Sequence, residues 1–347
     1  MTRRLIPIFA AATAFSLILV ARTVAWAARG TTAFPTELFG QYVVSAQGGA
    51  VETQEGFDDG HMDLAGFVTL NNNSGASAVN LTLGFQDLDE DYEGFTCVLS
   101  DPSDVRYTIS GSPGVGTLVL TVGEGDTCLQ GNDTYRPVDE IGKSITFNLY
   151  AVGGSATIAS TQSSFFPAGN SNNEVVFGPT IAGTLTPVTG VRSSLSGPIL
   201  ISATGQTTDH DNDFGHLSLA GAANLNANGG ADSLSLTLVY SDLASYFDAE
   251  TCELTNPSDL TYSLSNGAGT LTISLSSQDN CFDTYTGYSI LNSGNQLAFN
   301  LYAPLSGGSP VLVSTFSDIY NGVGDTIDDP GIVGTLTIPN LFSSRSP

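Results

Sequence analysis

Apolar and polar residues alternate along most of the chain. Leu81, Leu83 and Phe85 are separated by Thr82 and Gly84, and segment 234–240 has an apolar residue at every second position. A period of two residues with one apolar face is typical of an antiparallel strand that is covered on one side. Similar alternation recurs through the chain. The pattern therefore predicts an all-β protein.

Clusters of turn-forming residues separate the alternating segments. Segment 71–75 reads Asn-Asn-Asn-Ser-Gly, and segment 226–230 reads Asn-Ala-Asn-Gly-Gly. No window has the 3.6-residue period of an amphipathic helix. Many short strands joined by Gly-rich turns indicate either a closed antiparallel barrel or a two-sheet sandwich.

The strand pattern occurs twice. The sequence Gly-His-Met-Asp-Leu-Ala-Gly at 60–66 returns as Gly-His-Leu-Ser-Leu-Ala-Gly at 215–221, and further matches follow in the same order. Matches in one order with small shifts in spacing indicate duplication of a domain-sized unit. We predict a β domain at 34–187 (repeat 1), a connector at 188–194 and a second β domain at 195–340 (repeat 2).

The order of short motifs resembles a family of exported bacterial β-repeat proteins of unknown role that is common in acidobacterial genomes. The motifs are a Gly-x-Tyr strand, an Ala-Gly strand, an Asn/Gly hairpin, a Gly-x-Gly-Thr-Leu strand, a Phe-x-Leu strand and a closing Gly-Thr-Leu strand. In repeat 1 they lie at 40–42, 65–66, 71–75, 114–118, 147–149 and 183–185. Repeat 2 lacks the opening tyrosine. The resemblance implies an up-and-down β-barrel of lipocalin-like outline in each repeat and implies no activity.

The N-terminus has the features of a secretory signal peptide. Arg3 and Arg4 precede an apolar stretch at 5–20, and Ala-Trp-Ala follows at 25–27. This order is typical of a leader that is removed, and the apolar stretch is short for a transmembrane span. We predict that residues 1–27 are cleaved, with an uncleaved anchor as the alternative. The mature chain is then expected to have no membrane span and to be secreted, either extracellular or periplasmic.

The charge of the chain excludes some classes of partner. There are 34 Asp and Glu residues against 9 Lys and Arg, and three of the arginines lie in the leader, which leaves 34 − 6 = 28 net negative charges. Such a surface repels phosphate backbones and anionic lipids, so we predict no binding to nucleic acid. Charge of one sign also keeps a protein dispersed. Attraction of divalent cations is the alternative explanation.

The four cysteines are expected to form two disulfides. Each repeat has one pair at matching positions, and exported proteins keep such pairs oxidised. Because each copy must have folded alone, duplication selects Cys97–Cys128 and Cys252–Cys281. The absence of Cys-x-x-Cys spacing disfavours a zinc site.

Two sets of residues are candidates for chemistry. His61 and His216 occupy equivalent positions and are candidates for ligand binding or proton transfer, although a strand-start role is the more ordinary interpretation. Asp104 and Asp259 are a second equivalent pair, either general acids or turn-forming residues. No Gly-x-Ser-x-Gly elbow occurs, so the sequence gives no signature of a serine hydrolase.

Alternating carboxylates make calcium a candidate cofactor. Such spacing in a tight loop can direct several oxygen ligands at one Ca²⁺, but neither run completes a twelve-residue calcium loop and neither is present in both repeats. We therefore interpret the runs as solvated acidic loops, with calcium as the alternative, and predict no other cofactor. The residues are Asp87, Asp89 and Asp91 in repeat 1 and Asp209, Asp211 and Asp213 in repeat 2.

Three functions are compatible with these patterns. The first is a non-catalytic exported surface or matrix protein, or a binding module, with an extracellular partner. The second is a lipocalin-like carrier that holds a small apolar ligand in each barrel, which requires an empty interior. The third is a barrel enzyme of cyclase or isomerase type that uses His61 and His216, which requires both histidines to face a cavity beside a carboxylate.

Overall fold

The structure is a computed structural model, and strands occupy most of the described chain. The described residues are 38–52, 58–87, 95–110, 114–130, 136–137, 142–161, 164–167, 175–209, 214–242, 249–283, 294–315, 319–320 and 326–339. The predicted signal peptide lies outside these ranges, so its cleavage stays a prediction.

Repeat 1 forms one antiparallel sheet, which has 12 strands within the described residues. The strands are β1 (Gly40–Glu52), β2 (Asp58–Leu70), β3 (Ala76–Asp87), β4 (Phe95–Leu99), β5 (Val105–Ser110), β6 (Gly114–Thr121), β7 (Thr127–Gln130), β8 (Arg136–Pro137), β9 (Ser144–Val152), β10 (Ser155–Ser160), β11 (Ser164–Pro167) and β12 (Val175–Val188). Their order is β5-β6-β9-β10-β12-β1-β2-β3-β4-β7-β8, with β11 beside β12.

Repeat 2 forms a second antiparallel sheet, with 11 strands in the described part of the chain. The strands are β13 (Gly197–Asp209), β14 (Phe214–Leu225), β15 (Ala231–Asp242), β16 (Ala249–Leu254), β17 (Leu260–Ser265), β18 (Ala268–Ser274), β19 (Asn280–Asp283), β20 (Gln296–Tyr302), β21 (Val311–Ser314), β22 (Ile319–Tyr320) and β23 (Thr326–Thr337). Their order is β17-β18-β20-β21-β23-β13-β14-β15-β16-β19, with β22 beside β23.

Both sheets are strongly curled, and the edge strands β5 and β17 meet the far side of their own sheets through the bridges Gly75–Arg106 and Gly230–Thr261. A short 3₁₀ turn carries the chain from one edge to the other, at Pro102–Asp104 in repeat 1 and at Pro257–Asp259 in repeat 2. Tyr107 then reaches back across the curl, and its hydroxyl donates to the carbonyl oxygens of Leu38 at 2.6 Å and Asn71 at 2.8 Å. Tyr262 makes the equivalent contacts in repeat 2.

The predicted alternation sorts side chains to the two faces of each sheet. One row of inward residues crosses each sheet at the same place, because antiparallel pairing sets them opposite one another. In repeat 1 the row is Ala46, Leu64, Leu83, Cys97 and Cys128. In repeat 2 it is Ala203, Leu219, Leu238, Cys252 and Cys281. Each row belongs to the hydrophobic core of its own repeat.

Two predictions are confirmed here. The protein is all-β, with two tandem antiparallel units of barrel or sandwich form. The disulfides are Cys97–Cys128 and Cys252–Cys281, and each joins directly opposed residues whose Cα atoms are 4.0 Å apart. In the part of the chain that the structure describes, no helix is long and apolar enough to cross a membrane.

The repeated Ala-Gly motif is explained by close packing of backbone. Gly66 in β2 and Gly221 in β14 have φ angles of +142° and +153°, which side chains rarely permit. A Cβ atom at Gly66 would also collide with the carbonyl oxygen of Asn80, and one at Gly221 with that of Ser235. The motif is therefore required by the packing of neighbouring strands.

Candidate functional site

The repeated histidines lie on the outer faces of the sheets. Met62 and Leu64 of β2 point into the core, so His61 and Asp63 point outward. His61 Nε2 lies 3.0 Å from Asp63 Oδ1, and the two residues are only 8% and 2% exposed. A polar pair on an outer face is buried only if another element covers it.

Repeat 2 provides that cover. Gly331 in β23 lies against the pair, and its backbone N–H donates to Gln86 Oε1 at 2.8 Å. A Cβ atom at position 331 would lie 3.0 Å from His61 Cδ2 and 3.2 Å from Asp63 Oδ2. Only glycine therefore leaves full room for these polar side chains at the contact between the repeats.

His216 has different surroundings although its position in the sequence is equivalent. It is exposed on the outer face of β14, and its Nδ1 lies 3.4 Å from the carbonyl oxygen of Gly205. Ser218 occupies the position that Asp63 has in repeat 1. The structure therefore places neither histidine in a core, and the strand register sets His216 beside Gln206 and Gln206 beside Gly331, the glycine that lies against His61.

The contact between the repeats continues beyond His61 as an apolar cluster. Outward residues of repeat 1 pack against outward residues of repeat 2, and the Phe67 and Tyr302 rings meet edge to face with centroids 5.7 Å apart. The cluster comprises Val43, Ala65, Phe67, Val188, Tyr302, Val311, Val313 and Val333. We call this set the inter-repeat contact.

A buried polar group lies at the centre of the inter-repeat contact. Thr82 Oγ1 lies 2.7 Å from the Tyr302 hydroxyl and accepts a hydrogen bond from Asn300 Nδ2 at 2.8 Å. Burial raises the pKa of Tyr302 to about 12. The phenol is therefore neutral at physiological pH and acts as a hydrogen-bonding group that fixes one repeat against the other.

The predicted connector is also attached to repeat 2. The Arg192 backbone N–H donates to the carbonyl oxygen of Ala303 at 2.9 Å, and its Nε donates to that of Pro304 at 3.0 Å. Val188 belongs to the inter-repeat contact. The connector is therefore part of the interface between the repeats.

Asp104 and Asp259, the second equivalent pair, are the last residues of the two 3₁₀ turns, and both are buried. Each is close to a second carboxylate that the sequence analysis did not select, Asp126 in repeat 1 and Asp279 in repeat 2. Burial, followed by the charge of the neighbouring carboxylate, raises the pKa of Asp104 to about 6 and also raises that of Asp259.

The predicted calcium loops fall largely outside the described residues. Asp87 and Asp209 end strands β3 and β13, while Asp89, Asp91, Asp211 and Asp213 lie in segments that the structure does not describe. Within the described ranges, one group of three ligating residues gathers within 4.8 Å, namely Glu250, Cys252 and Cys281. Its sulfurs form a disulfide, so this group is not a metal site.

The fold defines a structural class, an all-β protein of two disulfide-bonded curled sheets in tandem. No protein-family model, curated protein or solved structure matches the chain. The resemblance to exported β-repeat proteins therefore stays a prediction.

Proposed function

We propose that the protein is an exported, non-catalytic surface or matrix protein that acts as a binding module for an extracellular partner. The observation that carries this proposal is the position of the repeated histidines. His61 is covered by repeat 2 at an outer face, whereas His216 is exposed. A barrel enzyme built on these residues would need both histidines directed into a cavity beside a carboxylate.

The packing of the cores supports a binding surface over a carrier. Inward positions carry bulky side chains that are almost completely buried, including Phe147 in repeat 1 and Tyr240 and Phe299 in repeat 2. A carrier of apolar molecules needs a lined interior space of several hundred Å³. Side chains of this size occupy the space that such a ligand would need.

The disulfides and charge support export. Structural disulfides persist in oxidising compartments, and the chain has one within each repeat. The large excess of Asp and Glu disperses the protein, and hydroxyl-bearing residues such as Thr204 and Ser218 occupy the outer face of repeat 2. We infer that binding is made through these outer faces and loops.

Mass spectrometry of the expressed full-length chain tests the proposal. We expect the protein in the periplasm or medium, beginning at Ala28, with both disulfides formed and with no ligand retained under native conditions. Recovery of an apolar molecule after denaturation would instead support the carrier. A chain that keeps its leader and stays inside the cell would contradict export.

A further inference from the structure

The two disulfides differ in their exposure to solvent. In repeat 2, Cys252 is completely buried but Cys281 is partly exposed. In repeat 1 the equivalent residues Cys97 and Cys128 are both buried, at 0% and 6% exposed. Thiol–disulfide exchange begins when a thiolate attacks one of the two sulfurs, so its rate depends on access to that sulfur. The difference favours attack on the bridge of repeat 2, at Cys281.

The strand that carries Cys281 is also the less protected of the two equivalent strands. Among the described residues, β19 pairs with β16 alone. Its equivalent β7 pairs with β4 on one side and with β8 on the other. An edge strand leaves one of its sides open to other molecules. The position of β19 therefore adds to the accessibility of the bridge in repeat 2.

A buried carboxyl group lies beside this bridge. Glu250 precedes Cys252 by two residues in β16, so the two side chains point to the same face of the strand, and both residues are 0% exposed. A carboxyl oxygen of Glu250 and the two sulfurs of the bridge lie within 4.8 Å of one another. The strand register sets Glu250 opposite Tyr240 in β15 and Asp283 in β19. The structure thus places a proton-carrying group against a bond that thiols can break.

Repeat 1 has no carboxyl group at this position. Phe95 is the equivalent residue, because the register sets it opposite Phe85 as it sets Glu250 opposite Tyr240. A disulfide sulfur has no proton to donate, whereas a thiol can donate its S–H to a carboxylate. Reduction therefore creates a possible hydrogen bond to Glu250 in repeat 2, which Phe95 cannot accept in repeat 1. Glu250 favours the dithiol form of its own bridge.

We propose that Cys252–Cys281 is a thiol-exchange site, which small thiols or dithiols open and reclose while Cys97–Cys128 stays closed. An incoming thiolate attacks Cys281 Sγ and forms a mixed disulfide, and the old S–S bond breaks with its electron pair on Cys252 Sγ. Glu250 gives its carboxyl proton to that sulfur, so no thiolate charge stays in the core. A second thiolate attacks the sulfur of the bound thiol, which leaves as an oxidised disulfide and releases Cys281 as a thiolate that solvent protonates.

Opening of the bridge has a local consequence for repeat 2. The four residues of β19 then keep only their backbone pairing with β16 among the described contacts between strands. Short strands gain little from pairing alone. Reduction should therefore loosen this edge of the sheet and leave repeat 1 as it is. The exchange site goes beyond the proposed binding role, since it makes one edge of the molecule respond to thiols.

Timed reduction of the full mature chain by dithiothreitol under native conditions tests the proposal. Samples are quenched with acid, their free thiols are alkylated, and the peptides are identified by mass spectrometry. We expect Cys252–Cys281 to open first, so that a species with one open bridge accumulates. With a monothiol in place of dithiothreitol, the adduct should be found on Cys281 and not on Cys252. Simultaneous opening of both bridges, or earlier opening of Cys97–Cys128, would overturn the proposal.

Glu250→Gln tests the proton transfer. Glutamine keeps the size of the side chain but has no carboxyl proton, so opening of Cys252–Cys281 should slow by roughly 100-fold. Opening of Cys97–Cys128 in the same chain is the control and should not change. Glu250→Phe copies the residue of repeat 1 and should slow the reaction at least as much, which provides a second variant if the first fails to fold. If a variant melts as the parent does and its Cys252–Cys281 bridge opens at the parent rate, Glu250 has no part in the exchange.

Discussion

At the scale of single residues, burial decides the chemistry more than residue type does. His61 and His216 follow equivalent glycines in equivalent strands, yet one contacts a buried carboxylate and the other is exposed. Asp104 and Asp259 are equally matched in sequence, but only Asp259 has side-chain donors. A comparison of equivalent residues in the two repeats therefore shows the effect of their different surroundings.

Asp104 should make the stability of repeat 1 fall as pH rises. Its pKa is about 6 in the folded protein, above the ordinary value of 3.8, so the folded state binds more protons between these values. The stabilisation is complete below pH 3.8 and is lost as pH rises through about 6. The free energy of unfolding in urea should fall between pH 3.8 and about 6 in the parent and stay flat in Asp104→Asn. At pH 7 the variant should be more stable than the parent by roughly 1–2 kcal/mol, after allowance for screening. Parallel pH profiles would contradict the assigned role.

At the scale of elements, each disulfide joins a short strand to its longer neighbour near one end of the sheet. β7 and β19 are four residues long, and each is tied to the neighbouring strand through a directly opposed cysteine pair. Short strands at a sheet edge gain little from pairing alone. The disulfide therefore stabilises the edge of each sheet and the loop that returns to it.

Removal of one disulfide should lower stability without loss of the fold of the other repeat. The bridges span 31 and 29 residues, so Cys97→Ala/Cys128→Ala and Cys252→Ala/Cys281→Ala should each cost about 3–4 kcal/mol. Denaturant unfolding checks both values, with the unmodified chain as reference. Near-equal costs are expected because the loops have nearly equal length. A loss below about 1 kcal/mol in either variant would show that the loop-closure argument does not apply.

At the scale of the whole molecule, the inter-repeat contact makes the repeats interdependent. Phe67 and Tyr302 pack across it, and the Thr82–Tyr302–Asn300 hydrogen bonds are buried within it. Buried polar groups that lose a partner cost more than exposed ones. Substitutions in the contact should therefore lower the stability of the whole molecule by weakening the docking of the repeats.

Thr82→Ala should weaken this docking, whereas Thr237→Ala should not. Thr237 is the equivalent residue in repeat 2 and is exposed, so its loss should change stability by less than about 0.5 kcal/mol. Thr82→Ala leaves Tyr302 and Asn300 without their shared partner and should cost about 1–3 kcal/mol. Thermal unfolding monitored by tyrosine absorbance measures both. Equal effects of the two substitutions would show that the buried hydrogen bonds contribute nothing specific.

The sequence predicts the features that depend on local alternation and on duplication, namely the inward faces of the strands and the disulfide pairing. Strict alternation in 81–85 and 234–240 predicts the inward faces, and the cysteine pairing follows from the need of each copy to fold alone. The inter-repeat contact was missed, although Val311, Leu312 and Val313 break the alternation and so indicate a strand covered on both faces. The Asp104–Asp126 approach depends on the curl of the sheet, which no local period encodes. Its signal is the recurrence of the second carboxylate at equivalent positions, Asp126 and Asp279, in both copies.

The inter-repeat contact joins the outer face of β1 and β2 in repeat 1 to the outer face of β20, β21 and β23 in repeat 2. Because the repeats are equivalent, each also has the face that the other one contributes, and this second face takes no part in the contact. Such head-to-tail geometry can in principle continue into a fibre. Here the unused face of repeat 1 has smaller or polar residues, since Thr157, Ala159 and Ala182 stand where the contact has Val311, Val313 and Val333. Exposed large apolar side chains remain at Tyr150 and Leu200, which are 47% and 51% exposed, and Val115 pairs with Tyr150 on the neighbouring strand. The smaller and more polar residues disfavour the docking of a further unit on this face.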